Sequence, residues 1–131
     1  MLRALLLIVL PLSITGCDRD ETLRSYGAGG KVWRLTELNG APFTAETKLS
    51  FLAQNRVSGT GPCNSFTATM SVPYPWFDIE TLASTKRICT ALAEETQFFN
   101  ALSDATLSEV AGTVMILSNT DGLSMVFTAA D

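Results

Sequence analysis

The run Ser58-Gly59-Thr60-Gly61-Pro62-Cys63-Asn64-Ser65-Phe66 constrains this chain more than any other stretch. Glycine admits backbone angles that other residues avoid, while proline fixes one angle and withdraws a donor. Strand-like residues flank the run, Lys48 to Phe51 before it and Phe66 to Met70 after it. It therefore reads as a bulged or sharply bent connection between strands, with a thiol at its centre. The partner available to Cys63 then decides how that bend is held.

The chain has 131 residues, 47% of them hydrophobic and 17% charged, which predicts one globular domain. Net charge is −4 and the basic residues are scattered, apart from Lys86-Arg87, so a nucleic-acid surface is not expected. There is no histidine. That removes Ser-His-Asp and Cys-His catalysis and every zinc site that needs imidazole.

Residues 1–16 read as an export signal: Arg3, then a short apolar run from Ala4 to Leu12, too short to span a membrane. The segment ends Ile14-Thr15-Gly16-Cys17, which resembles the bacterial lipobox. That resemblance implies a lipid on Cys17, cleavage just before it and anchoring by several acyl chains. An ordinary signal peptide that happens to precede a cysteine is the plainer alternative. Asp18, after the anchor, resembles the inner-membrane retention signal of enterobacterial lipoproteins, with the outer membrane the other destination. With Cys17 set aside, Cys63 and Cys89 remain, and an even pair in an exported chain reads as one disulfide. It would close a loop of about 26 residues and contribute about 3 kcal/mol. A buried or redox-active thiol pair is the rival, although the gap is not that of a C-x-x-C motif.

Residues 17–30, polar and ending Gly27-Ala28-Gly29-Gly30, read as a lipidated flexible tether, which leaves 31–131 for the domain. Strands are expected over Lys31–Leu38, Thr47–Ala53, Val57–Gly59 and Phe66–Met70, with a turn at Asn39-Gly40. Pro73 and Pro75 exclude a central strand there, and a strand is expected to restart at Trp76 and end near Glu80. Leu82 to Cys89 reads as irregular. Thr90 is placed to cap a helix from Ala91 to about Leu102, with Leu92, Phe98, Phe99 and Leu102 as its apolar stripe. Thr113–Ser118 and Leu123–Thr128 form a final hairpin around Asn119-Thr120-Asp121-Gly122, and Thr106–Val110 offers a further short strand. The expected fold is α+β: a mostly antiparallel, curled, barrel-like sheet with one amphipathic helix.

The order of these pieces is similar to that of the META domain of HslJ-like bacterial heat-shock lipoproteins. The carriers are Trp33-Arg34-Leu35 with Asn39-Gly40, Val57-Ser58-Gly59 leading to Cys63-Asn64-Ser65-Phe66, and Thr85 four before Cys89. Glu95 followed by Phe98, Ala101 and Leu102, then Val126-Phe127, completes the pattern over roughly Val32 to Phe127. Pro62, Ser65, Ala68 and Lys86 depart from the residues common in that family. The resemblance implies an envelope protein associated with stress tolerance, no cofactor, no metal and no catalytic residues.

Function is therefore expected to be non-enzymatic, linked to stress or drug tolerance of the envelope, with the membrane as partner through Cys17. The alternative is an inhibitor or chaperone-like partner of an exported protein, for which Tyr74 and Trp76 are the binding candidates. An enzyme would need a Ser-Lys or carboxylate pair. No Ser-x-x-Lys occurs, and Asp78 with Glu80 reads as an exposed strand pair. Glu95 lies beside the helix stripe. If buried, it needs a partner, for which Thr85, Lys86 or an amide near Cys63 is available.

Overall fold

The computed structural model describes residues 11, 13, 16 and 19–130. Among these, nine strands form one sheet, and every pairing between them is antiparallel. The strands are β1 (Val32–Leu38), β2 (Ala41–Pro42), β3 (Lys48–Ala53), β4 (Arg56–Thr60), β5 (Ser65–Thr69), β6 (Glu80–Ser84), β7 (Leu107–Ala111), β8 (Val114–Ser118) and β9 (Ser124–Ala130). A 13-residue helix, α1 (Leu92–Asp104), lies between β6 and β7. The sheet order is β6-β5-β4-β3-β1-β9-β8-β7, with β2 folded back on β1. The mostly antiparallel sheet with one helix is as expected, and the ladder path is open, running from β6 at one edge to β7 at the other.

Alternation sets which residues enter the core. In β5, Phe66 and Ala68 are buried between exposed neighbours; Met115 and Leu117 of β8 and Met125 and Phe127 of β9 are buried between neighbours that are exposed or half-buried. In β1 the phase slips: Trp33 and Leu35 point inward, then Leu38. The slip coincides with a register shift against β9 between Leu35 and Glu37, where Thr36 donates its hydroxyl to the Val126 carbonyl at 3.1 Å. A bulge at that point turns Leu38 back to the core side. Asn39 and Gly40, both at positive φ, close the hairpin to β2.

Three expectations are corrected. The first is the flexible tether. Leu23 and Ala28 are fully buried, a 3-10 turn spans Leu23–Tyr26, and the Trp33 indole donates to the Ala28 carbonyl at 3.0 Å. The turn is anchored from in front. Asp20 accepts from the Thr22 amide (2.9 Å) and hydroxyl (2.6 Å) and pairs with Arg24 at 3.2 Å. Burial pushes the Asp20 carboxyl up, but the Thr22 hydroxyl, the Thr22 amide and Arg24 together hold it below its ordinary value. The folded unit thus includes the chain from Asp20 onward. Glycine-rich composition suggested slack, whereas Gly27 supplies the left-handed residue that ends the turn, at φ 118°.

The second concerns Trp76 to Glu80 and the segment after it. Residues 75–77 run along the rim of β7: Phe77 donates to Thr106 (2.9 Å) and Ser108 donates to Pro75 (2.8 Å). The strand lies later, at β6, which begins at Glu80 and runs into the stretch read as irregular. Prolines spoil strand propensity locally, but pairing with β5 decides where the ladder resumes. The Tyr74–Pro75 bond is cis.

The third is the helix. Ala91, not Thr90, is its N-cap residue, with no side-chain cap. The Cys89 carbonyl closes the preceding turn by accepting from the Leu92 amide at 3.2 Å. The buried face is Glu95, Phe98, Ala101 and Leu102, at helical spacing, while Leu92 is exposed and Phe99 half-buried. Phe66 meets Phe98 and Phe99 edge-on at 5.6 and 5.4 Å, which seats α1 on β5.

Gly59 shows how tightly the core closes on the bend. A Cβ there would collide with the Lys48 carbonyl oxygen and lie 2.9 Å from both Leu49 Cα and the Phe66 ring. Gly59→Ala is therefore expected to cost about 2 kcal/mol, read as a lower urea midpoint at unchanged slope. A midpoint equal to wild type would show that β3 and β4 separate without strain.

Candidate functional site

The loop between β4 and β5 is a four-residue turn, closed by the Gly61 amide donating to the Asn64 carbonyl at 2.7 Å. The ladder on either side of it stays in register through Thr60 and Ser65, so the bend is a hairpin turn and not a bulge. Cys63 in this turn is bonded to Cys89, with Cα atoms 5.7 Å apart, which ties the turn to the start of α1.

Beside the bridge, Glu95 is 3% exposed, and its partners come from the turn. One carboxylate oxygen accepts from the backbone amides of Cys63 and Asn64, each at 2.7 Å, and the other from the Asn64 side-chain amide at 2.5 Å. Three donors to a buried carboxylate meet the requirement that such a group be fully hydrogen-bonded. The approach demands Gly61, where a Cβ would stand 2.7 Å from Glu95 Oε2. Thr85 and Lys86 do not reach Glu95.

Asn64 carries the contact onward. Its side-chain oxygen accepts from the Thr85 hydroxyl (2.9 Å) and the Arg87 amide (2.6 Å), and its nitrogen also donates to the Arg87 carbonyl at 3.0 Å. All four hydrogen-bonding positions of that amide are used. The side chain therefore bonds across the chain, to Thr85, Arg87 and Glu95, and not to the turn that carries it. Turn, β6 exit and helix start are fastened by one bridge, one carboxylate and one amide.

The second cluster is aromatic. Tyr74 stacks on Tyr26 with ring centroids 4.8 Å apart, and its amide donates to the Glu21 carbonyl at 2.8 Å. The Tyr26 hydroxyl donates to the Glu21 carboxylate at 3.0 Å. That hydrogen bond and the nearby negative charge raise the Tyr26 phenol above its ordinary value. Trp76 is exposed, while Tyr74 is half-buried beneath Tyr26. Tyr26 and Glu21 were missed because both fall in the stretch read as tether; the Leu23–Tyr26 spacing of one turn was the available signal. Cys17 and Asp18 lie outside the described residues.

The interior is filled by side chains, with Trp33, Phe51, Phe77, Phe98 and Phe127 fully buried. The hollow between β1 and the 42–46 segment, bounded by Arg34, Phe43 and Lys48, lies at the surface. Asp78 and Glu80 are exposed. Among the described residues, no three His, Cys, Asp or Glu are grouped to hold a metal ion, and no helix is long and apolar enough to cross a membrane.

One antiparallel sheet, one helix seated on it and a fastened β4–β5 turn define a small α+β scaffold domain. The META domain family profile matches residues 27–131, and the chain belongs to that family. A similar fold occurs in the crystal structure of a DUF4847 family protein from Bacteroides vulgatus (TM-score 0.66, 13% identity, 80% of this chain and 95% of that one). It also occurs in the NMR structure of a protein from Burkholderia xenovorans (TM-score 0.65, 17% identity, 95% of this chain and 99% of that one). At these identities the likeness is one of fold. Comparison with curated proteins finds no match.

Proposed function

We propose that the protein is a non-enzymatic envelope lipoprotein, held at the membrane by lipid on Cys17 and facing the periplasm, that supports stress or drug tolerance of the envelope. The observation that carries this reading is that the buried carboxylate of Glu95 and the buried amide of Asn64 are bonded to each other and to the turn. Beside the Cys63–Cys89 bridge they are taken up in fastening the structure. A disulfide also suits an exported, oxidising setting. The reading includes the curl expected from the strand pattern: the rim contacts of 75–77 with 106–108 support drawing the two sheet ends together. Asp18 favours the inner membrane.

The test is a deletion strain complemented with wild type or Cys17→Ser, grown with an alkyne-tagged palmitate analogue. Tagging of wild type alone, with envelope-stress and drug sensitivity rescued by wild type alone, is the expected result. A tagged Cys17→Ser protein would refute the anchor. A deletion strain indistinguishable from its parent under all stresses would refute the role. The second reading, an inhibitor or chaperone-like partner, draws on exposed Trp76; recovery of an exported protein that requires Trp76 would favour it.

A further inference from the structure

Asp20, three residues after Cys17, is bonded into the fold, and two exposed aromatic side chains belong to segments bonded to its neighbour Glu21. Tyr26 is 49% and Trp76 57% exposed. Both are tied to that part of the chain, Tyr26 through its stack on Tyr74 and its bond to Glu21, and Trp76 through the turn in which its amide donates to the Pro73 carbonyl at 2.9 Å. The Tyr74 amide is itself bonded to the Glu21 carbonyl.

We infer that Tyr26 and Trp76 form a docking patch for the bilayer interface, which holds the domain against the membrane in one orientation. This rests on the lipid anchor proposed above and specifies what the anchored domain touches. Phenol and indole rings have an apolar body and a polar tip, and they settle at the headgroup level of bilayers.

Geometry argues for lipid as the occupant. Three residues of extended chain span at most about 11 Å. A partner domain is about 30 Å across and would not fit between the patch and the bilayer. The Asp20–Thr22 and Asp20–Arg24 contacts hold Asp20 to the turn that carries Tyr26, so the stretch of chain between the anchor and that turn stays short. With the anchor holding it there, even a weak affinity of the rings for the interface suffices.

The chain has two tryptophans, and Trp33 is fully buried, so Trp76 is the reporter. Full-length protein, expressed in a bacterium and purified with detergent, is reconstituted into vesicles of phosphatidylethanolamine and phosphatidylglycerol containing brominated phosphatidylcholine. Quenching of the Trp76 emission by about twofold is expected, and Trp76→Phe, which leaves only Trp33, should abolish it. Acylated, vesicle-bound protein whose emission is unquenched would overturn the docking patch and leave the lipoprotein reading intact. A peptide containing Cys17 with no acyl mass would overturn both. Protection of Trp76 from aqueous acrylamide only in the presence of a co-purified envelope protein would overturn the patch in favour of a protein partner.

Discussion

Glu95→Ala is expected to lower the unfolding free energy by about 4 kcal/mol, a drop of roughly 2 M in urea midpoint. The cost comes from what is left behind. The amides of Cys63 and Asn64 and the side-chain nitrogen of Asn64 lose their shared acceptor at a place where both Glu95 and Asn64 are buried. Glu95→Gln keeps one oxygen for the two backbone amides but turns an N–H2 toward the Asn64 nitrogen. Flipping Asn64 only moves the conflict, because its nitrogen would then face the Arg87 amide, which needs an acceptor. Gln is therefore expected to lose about 2 kcal/mol. Losses below about 1 kcal/mol for both variants would mean that water replaces the carboxylate freely and that the turn is held by the disulfide alone.

Replacing Cys63 and Cys89 together by Ser is the second large effect. The bridge spans a sequence separation of 26, and releasing a loop of that length from the unfolded chain costs about 3.5 kcal/mol. Reducing agent should shift the wild-type melt by the same amount, and coincident melts with and without it would show that the bridge contributes nothing. The two devices hold one turn to one helix start, so their effects should not add. A double-mutant cycle combining Glu95→Ala with the paired Ser substitutions is expected to show a coupling of about 1 kcal/mol.

Local pattern made much of this fold legible. Trp33, Leu35, Phe66, Met115 and Phe127 are buried, and a strand's own pattern suffices for such a face, because side chains in a strand alternate faces whatever the strand pairs with. Asn39-Gly40 marked its turn because few other pairs accept positive φ twice. The Asn119 turn was equally visible, and its side chain accepts from the Asp121 and Leu123 amides at 2.9 and 3.0 Å.

The errors came where distant residues override a local preference. Asp20 to Gly30 has the composition of a linker and folds because Trp33 supplies a donor for Ala28 and the core accepts Leu23. β6 exists because β5 offers an edge, and helix α1 begins at the disulfide without a polar cap.

The Ser58–Phe66 run divides along the same line. By itself the sequence determined a sharp connection with a cysteine in it, since glycine and proline restrict or free the backbone regardless of surroundings. The choice of Glu95 as the group that holds this turn was decided only in the tertiary structure. A carboxylate on a helix can point to water or to a buried set of amides, and only the packing of α1 against β5, through Phe66 and Phe98, brings those amides within 2.7 Å of it.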